Sequence, residues 1–386
     1  MKKINRNTLG FIIFVGCTFT ISCNGAQSRQ ENVTFKKHIV DASFGARGAD
    51  VGDRNKEGIA DIIASTGREM YWYREGEKHV IAKFKTATSL IHLRTADIDR
   101  DGDIDVIVAD HKNGIRYFEN PGSGAVKKKP WPQHYVDNKC IGAHSVSLAD
   151  INGDGRIDVV ASGEAKSTPP DSICWYACPE NPNDSGAWPK YILGPGQSGG
   201  LAHYSAIADV DGDSKLDVVH AAKSAEGGEW FRLWTQPENP RGAWTLKEIG
   251  SGYTQATNVQ IGDIDGDGKV DILASQGHYA GVLWFKAPNW EPTYIDKELQ
   301  SPHTLVLADI DNDGDLDAAT CAYLSKKLVW FENNGSGEFR RHLISDNQGA
   351  YDLVARDIDN DGDLDLLVAG QNSKNVVWYE QLGSPE

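Results

Sequence analysis

The chain has 386 residues, among them 40 glycines and 9% aromatics, and its 55 acidic side chains outweigh 39 basic ones for a formal net charge of −16. No basic stripe interrupts that balance, which argues against nucleic acid as a partner. Apolar residues nowhere recur at helical spacing, so the composition reads as soluble and β-rich.

Residues 1–23 read as a targeting segment. Lys2, Lys3 and Arg6 precede the apolar run FIIFVGCTFTI, which is too short to span a bilayer as a helix. The run ends at Ser22-Cys23, and a polar tether follows over 24–32. This resembles a bacterial lipoprotein signal. The resemblance implies that Cys23 is lipidated and that the exported protein is held at the cell envelope by its lipid alone. An ordinary secretory signal peptide is the alternative.

From residue 33 onward the chain repeats. Nine-residue acidic stretches stand at 97–105 (DIDRDGDID), 150–158 (DINGDGRID), 209–217 (DVDGDSKLD), 263–271 (DIDGDGKVD), 309–317 and 357–365 (both DIDNDGDLD). Their first aspartates lie 46 to 59 residues apart, a period that marks an array or propeller. Each repeat reads as four short strands, as in HTLVLAD, LDAATCA, KKLVWFENN and FRRHLIS over 303–345. One aromatic recurs on the third strand, at Trp72, Tyr117, Trp175, Trp234, Trp284, Trp330 and Trp378. Seven copies predict seven blades packed through that ring. VTFKKHIVD at 33–41 matches a fourth strand, and NVVWYEQL at 375–382 is a third strand lacking its fourth. The N-terminal strand should therefore complete the last blade and remove the exposed edge. The expected fold is an all-β, seven-bladed β-propeller of four-stranded blades over 33–386. Its first blade is expected to have lost the acidic loop, because Asp50 and Asp61 flank VGDRNKEGIA at the wrong spacing.

The loop spacing carries chemistry. Oxygen donors at positions one, three, five and nine, with a turn-permitting glycine at six, suit a hard cation. Calcium fits better than magnesium, which prefers a smaller octahedron and keeps its waters. The candidate ligands are Asp97, Asp99, Asp101, Asp103 and Asp105 in the first loop, and Asp150, Asn152, Asp154 and Asp158 in the second. Asp209, Asp211, Asp213 and Asp217 follow, then Asp263, Asp265, Asp267 and Asp271. The last two loops offer Asp309, Asp311, Asp313, Asp315 and Asp317, and Asp357, Asp359, Asp361, Asp363 and Asp365. These stretches resemble the calcium loops of FG-GAP/VCBS repeats, which build β-propellers, and the resemblance implies about six structural calcium sites. The loops hold 26 of the 55 acidic residues, so the net charge is mostly metal ligand and says little about a binding face.

The histidines divide into two sets. His38, His79, His134 and His342 occupy one place on four fourth strands and belong to the repeat. The others break it. His144, His203 and His303 each lie six residues before a first loop aspartate, where other blades carry Phe44, Ile91, Thr257 and Tyr351. His92 stands one residue out of that register. His111, His220 and His278 fall in predicted loops between second and third strands. Up-and-down topology sends both groups to one face, opposite the acidic loops, around the mouth of the central channel. The candidate catalytic residues are His144, His203, Tyr204, His220, His278, Tyr279 and His303. The candidate substrate-binding residues are His111, Lys166, Lys223, Trp230 and Tyr351, with Trp230 in a lengthened loop where it could stack on a sugar.

The chain has no GxSxG, P-loop or HExxH stretch. Imidazoles, phenols and ammonium groups instead suit β-elimination at a uronic acid, in which a cation neutralises the carboxylate, a base takes the C5 proton and an acid protonates the oxygen leaving C4. No arginine is evident at the mouth as the neutraliser. The whole set resembles the seven-bladed propeller polysaccharide lyases of marine bacteria, including ulvan lyases, and related oligosaccharide dehydratases. That resemblance implies an acidic poly- or oligosaccharide as the partner and a 4,5-unsaturated uronyl end as the product. The alternative is a non-catalytic surface propeller that binds glycan or protein, since FG-GAP repeats often serve adhesion.

Overall fold

Among the described residues, short apolar runs separated by Gly, Asn and Asp turns become 28 strands in seven four-stranded antiparallel sheets. A computed structural model describes residues 33–54, 60–122, 130–164, 166–184, 186–194, 201–223 and 229–383, and no helix occurs among them. The leader, the tether and Cys23 lie outside the described residues. Each of the first six sheets is built from four consecutive strands; blade one uses Gly48–Arg54, Ala60–Ser65, Glu69–Arg74 and Glu77–Lys83. The seventh takes Asp352–Arg356, Asp365–Gly370 and Asn375–Leu382, then Thr34–Asp41 from the other end of the chain. The N-terminal strand therefore closes the ring as the sequence predicts, and no blade is left with an unfilled outer place.

Seven apolar clusters hold the ring together, each drawn from two neighbouring blades. The recurring third-strand ring faces the residue two beyond the ninth loop position, as in Ile107 with Tyr117, Val160 with Trp175 and Ala319 with Trp330. It packs against the following blade, and removing such a buried ring costs about 3–5 kcal/mol. Blade four departs from the expectation. There Val219 pairs with Leu233, not Trp234. Successive side chains on a strand point to opposite faces, so Trp234 is displaced by one residue and packs back with Trp175 between blades three and four. Leu233 fills the recurring place.

The repeated histidines stand across the same ring on the fourth strand: His79 opposite Trp72, His134 opposite Tyr117, His342 opposite Trp330 and His38 opposite Trp378. Each also meets a carboxylate, Glu77, Glu119, Glu332 and Glu380 respectively. Cys140, Cys174, Cys178 and Cys321 are buried and free.

Candidate functional site

The two faces of the ring are built differently. On one, each acidic loop wraps around its first carboxylate. The position-six N–H donates to Asp97, Asp150, Asp209, Asp263 and Asp309 at 2.7–3.2 Å. That turn needs a positive φ, which glycine takes at little cost; Ser214 holds φ 68° in its place in the third of these loops.

The ninth-position aspartates are at most 1% exposed. One oxygen of each accepts the N–H of position two (Ile98, Ile151, Val210, Ile264, Ile310, Ile358) at 2.9–3.3 Å. The other accepts an N–H at the end of the third strand (Asn120, Cys178, Gln236, Ala287, Asn333, Gln381) at 2.7–2.9 Å. This carboxylate thus pins the loop to its blade. Burial lifts Asp105, Asp158 and Asp365 to about 7 and Asp317 to about 8, against the hydrogen bonds that oppose it.

The donors fit a hard divalent cation. Carboxylate oxygens of Asp97, Asp99 and Asp101 converge within 4.8 Å, as do those of Asp209, Asp211 and Asp217, of Asp263, Asp265 and Asp271, and of Asp309, Asp311 and Asp313. Buried oxygens of Asp97, Asp265 and Asp359 accept no hydrogen bond.

Strand register also corrects the first blade. Asp50 faces Ile63 on the first strand, as Val354 faces Leu367 in blade seven. The residue matching Asp357 is therefore Asp53, and the stretch 53–61 reads DRNKEGIAD, with oxygen donors at one, three, five and nine and glycine at six. Counted from Asp53 the spacing matches that of the other loops, so the first blade keeps a degenerate acidic motif. Residues 55–59 lie outside the described residues.

On the opposite face the same register places Arg47, Ile91, His144, His203, Thr257, His303 and Tyr351 at equivalent positions, with Arg47 where Phe44 was expected. The ladder slips at Ile91, at His203–Tyr204 and at His303. Such bulges re-aim a side chain out of the sheet. Here rings from separate blades meet: His144 stacks on His203 at 3.9 Å, and His303 lies 3.8 Å from Tyr351 between ring centroids. His144 Nε2 is 3.1 Å from the Tyr351 hydroxyl, and His203 Nε2 is 3.2 Å from Nε2 of His278.

His303, His203 and His144 are 0%, 2% and 7% exposed, while His278 and Tyr351 are half-buried above them. Burial, reinforced by neighbouring imidazoles, holds His144 and His303 well below the usual histidine range. Burial and then the Lys223 charge push His278 down to about 4. Burial pushes the Tyr351 phenol up to about 12, partly offset by the charge of Arg47. Burial also lowers Lys223. The mouth therefore carries neutral His144, His278 and His303 rings and a protonated Tyr351 phenol, with two basic side chains beside them.

The remaining predicted residues divide. His111 reaches Glu164 at 3.3 Å on the rim, Tyr279 is 56% exposed beside His278, and Lys166 is exposed. Tyr204 is fully buried one layer down, with Thr304 Oγ1 3.4 Å from its hydroxyl. His220 and Trp230 are not in loops. The second strand of blade four runs to Lys223 and the third begins at Trp230, so both residues are buried, 6.1 Å apart, in the sheet. Trp230 belongs to the apolar cluster between blades three and four and offers no face to a sugar.

Sequence reading missed Arg47, Glu164 and a charge network beneath the mouth built on the buried carboxylates of Asp50 and Asp352. Below His92 and Tyr204 the channel holds a cavity of about 460 Å³. Arg94 meets Asp352 there at 3.1 Å and Arg356 meets Asp50 at 3.5 Å. Arg47 was within reach of the sequence: counting six back from Asp53 finds it.

FG-GAP-like repeats match residues 97–161, 209–274, 263–320 and 309–368, more than half of the chain. The chain belongs to the FG-GAP-like repeat family. No curated protein matches this FG-GAP chain in sequence. Solved propellers match it in fold. A lectin of Agrocybe aegerita that recognises non-reducing terminal N-acetylglucosamine is 16% identical, with 92% of this chain and 87% of that one covered at a TM-score of 0.52. Virginiamycin B lyase from Staphylococcus aureus is 10% identical, covering 91% and 100% at 0.57. BBS1N, solved in complex with ARL6DN, is 9% identical, covering 92% and 99% at 0.58. Identities this low establish the propeller and nothing about the mouth.

Proposed function

We propose that this FG-GAP propeller is a carbohydrate-active lyase or dehydratase that performs β-elimination on uronate-containing, ulvan-type poly- or oligosaccharides. The observation that carries this reading is the pairing of half-buried His278 with His203 and of half-buried Tyr351 with His144 at one channel mouth. His278 is unprotonated at neutral pH and takes the C5 proton. The C5–H electron pair becomes the C4=C5 double bond as the C4–O bond breaks, and Tyr351 gives its proton to the departing oxygen. Arg47 and Lys223 neutralise the carboxylate that makes C5 acidic. His203 and His144 act as positioning residues beneath the pair. Only the leaving group separates chain cleavage from water loss.

The acidic loops hold calcium and serve the fold, because they lie at the far end of the strands from the mouth. The leader implies export and a lipid anchor at Cys23; among the described residues no helix is long and apolar enough to cross a membrane.

Incubation with an algal uronate panel should give new ultraviolet absorbance from the unsaturated end, with mass spectrometry separating shorter chains from loss of one water. His278→Ala and Tyr351→Phe should each lower turnover by roughly 10²–10⁴-fold. Binding across the panel without any absorbance change would replace this reading with that of a glycan-binding propeller.

A further inference from the structure

Beneath the mouth, three imidazoles from three blades come together with no carboxylate among them. One ring nitrogen from each of His144, His203 and His303 lies within 4.8 Å of the others. His144 Nδ1 and His303 Nε2 are buried and have no hydrogen-bond partner. A buried imidazole nitrogen left without a partner costs free energy, and two in one cluster call for an occupant that accepts lone pairs.

His278 adds a fourth ring. Its Nε2 is 3.2 Å from that of His203, with the rings at 89°. Ligand nitrogens on a tetrahedral ion with bonds of about 2.0–2.1 Å stand roughly 3.3 Å apart. Two neutral imidazole nitrogens at this separation can share an ion as readily as a proton. Burial, reinforced by the neighbouring imidazoles, keeps His144 and His303 unprotonated, and neutral imidazole is the ligating form.

We propose that His144, His203 and His303, with His278 from the rim, form a site for one borderline divalent transition-metal ion of the zinc class, chemically distinct from the oxygen-only loops on the other face. Nitrogen donors select such ions over calcium. The proposal goes beyond the eliminase reading and requires no activity at the mouth. An ion held by His278 would leave that ring no lone pair for the C5 proton, so Zn²⁺ binding and the His278 base role are alternative states that the titration and the absorbance assay read separately.

The test uses the full mature chain, stripped with chelator and then held in excess Ca²⁺ to saturate the acidic loops. Titration with Zn²⁺ by calorimetry should show one tight equivalent per chain, and Co²⁺ should develop the visible bands of a low-coordinate nitrogen-ligated ion. His303→Ala should weaken binding by more than the roughly 10–100-fold that loss of a supporting partner costs, and Asp361→Asn should leave it unchanged. If His303→Ala does not fold, His278→Gln at the half-buried rim must weaken Zn²⁺ binding and shift the Co²⁺ spectrum. Absence of Zn²⁺ binding in excess Ca²⁺, or binding that neither histidine variant alters, overturns the site.

Discussion

The two ends of the strands obey opposite rules. At one end, six loops repeat the same contacts almost atom for atom, down to the two N–H groups held by each ninth-position aspartate. At the other, the seven equivalent positions carry arginine, isoleucine, histidine, histidine, threonine, histidine and tyrosine. A feature that every blade shares answers a need every blade has, which is to fold and pack. A position where the blades differ is free of that need and can serve a single, asymmetric site. The contrast locates function by where the repeat fails.

The largest expected effect tests the shared end. A cation that binds only the folded state stabilises it by about 2.7 kcal/mol per site at a hundredfold excess over Kd, and six loops act together. Chelation should therefore lower the melting temperature steeply, with recovery on adding Ca²⁺, as read by calorimetry. The comparison breaks if chelation leaves the melting temperature unchanged. It also breaks if removal of Ca²⁺ alone abolishes turnover far below the melting temperature, since the loops would then reach the mouth.

A smaller effect separates His220 from the mouth histidines with which sequence had grouped it. Its ring is 1% exposed, neither nitrogen has a partner, and burial pushes it down to about 3. The unfolded chain takes up this proton near pH 6.5 while the folded chain refuses it until about pH 3. This proton-linked cost is absent above pH 6.5 and grows as pH falls through that window. His220→Leu should already be more stable than the parent at pH 7.5, because it removes two unpartnered buried nitrogens. Its advantage should grow by about 2 kcal/mol on going to pH 5, in urea titrations at both values. An advantage that does not change between the two pH values would place His220 in a polar setting after all.

How much was legible follows from the same contrast. Blade number, ring closure and the loops could be read because each is written several times and the copies correct one another. The errors lie where one copy drifts. Trp234 is the conspicuous aromatic of its blade, yet strand pairing gives the recurring place to Leu233. Phe44 stood in for Arg47 because DRNKEGIAD has lost most of its aspartates. Arg94 and Asp352 come from blades two and seven, and their ion pair exists only through ring closure, which brings residues 258 apart into contact. His144, His203 and His303 were found by register alone. Their approach to within ligand distance depends on side-chain directions at the bulges, which no spacing rule supplies.

The smallest effect sharpens the division of the histidines themselves. His342 matches His303 in residue type but sits on the outer strand of the same blade, stacked on Trp330 at 4.5 Å and 2.6 Å from Glu332. Its ring is half-buried and its partner partly exposed, so solvent screens the pair. Losing the stack and the pair together should cost about 1 kcal/mol of stability. His342→Ala should therefore lower the melting temperature slightly and leave both turnover and Zn²⁺ binding at parental values. His38 stacks on Trp378 at 4.2 Å and meets Glu380 in the same way, so His38→Ala should reproduce the result, while His79 and His134 are tilted on their rings at 5.3 and 5.4 Å and should cost less. A loss of turnover in His342→Ala without loss of fold would mean that the repeated histidines also serve the mouth, and the rule that function lies where the repeat fails would no longer hold for this ring.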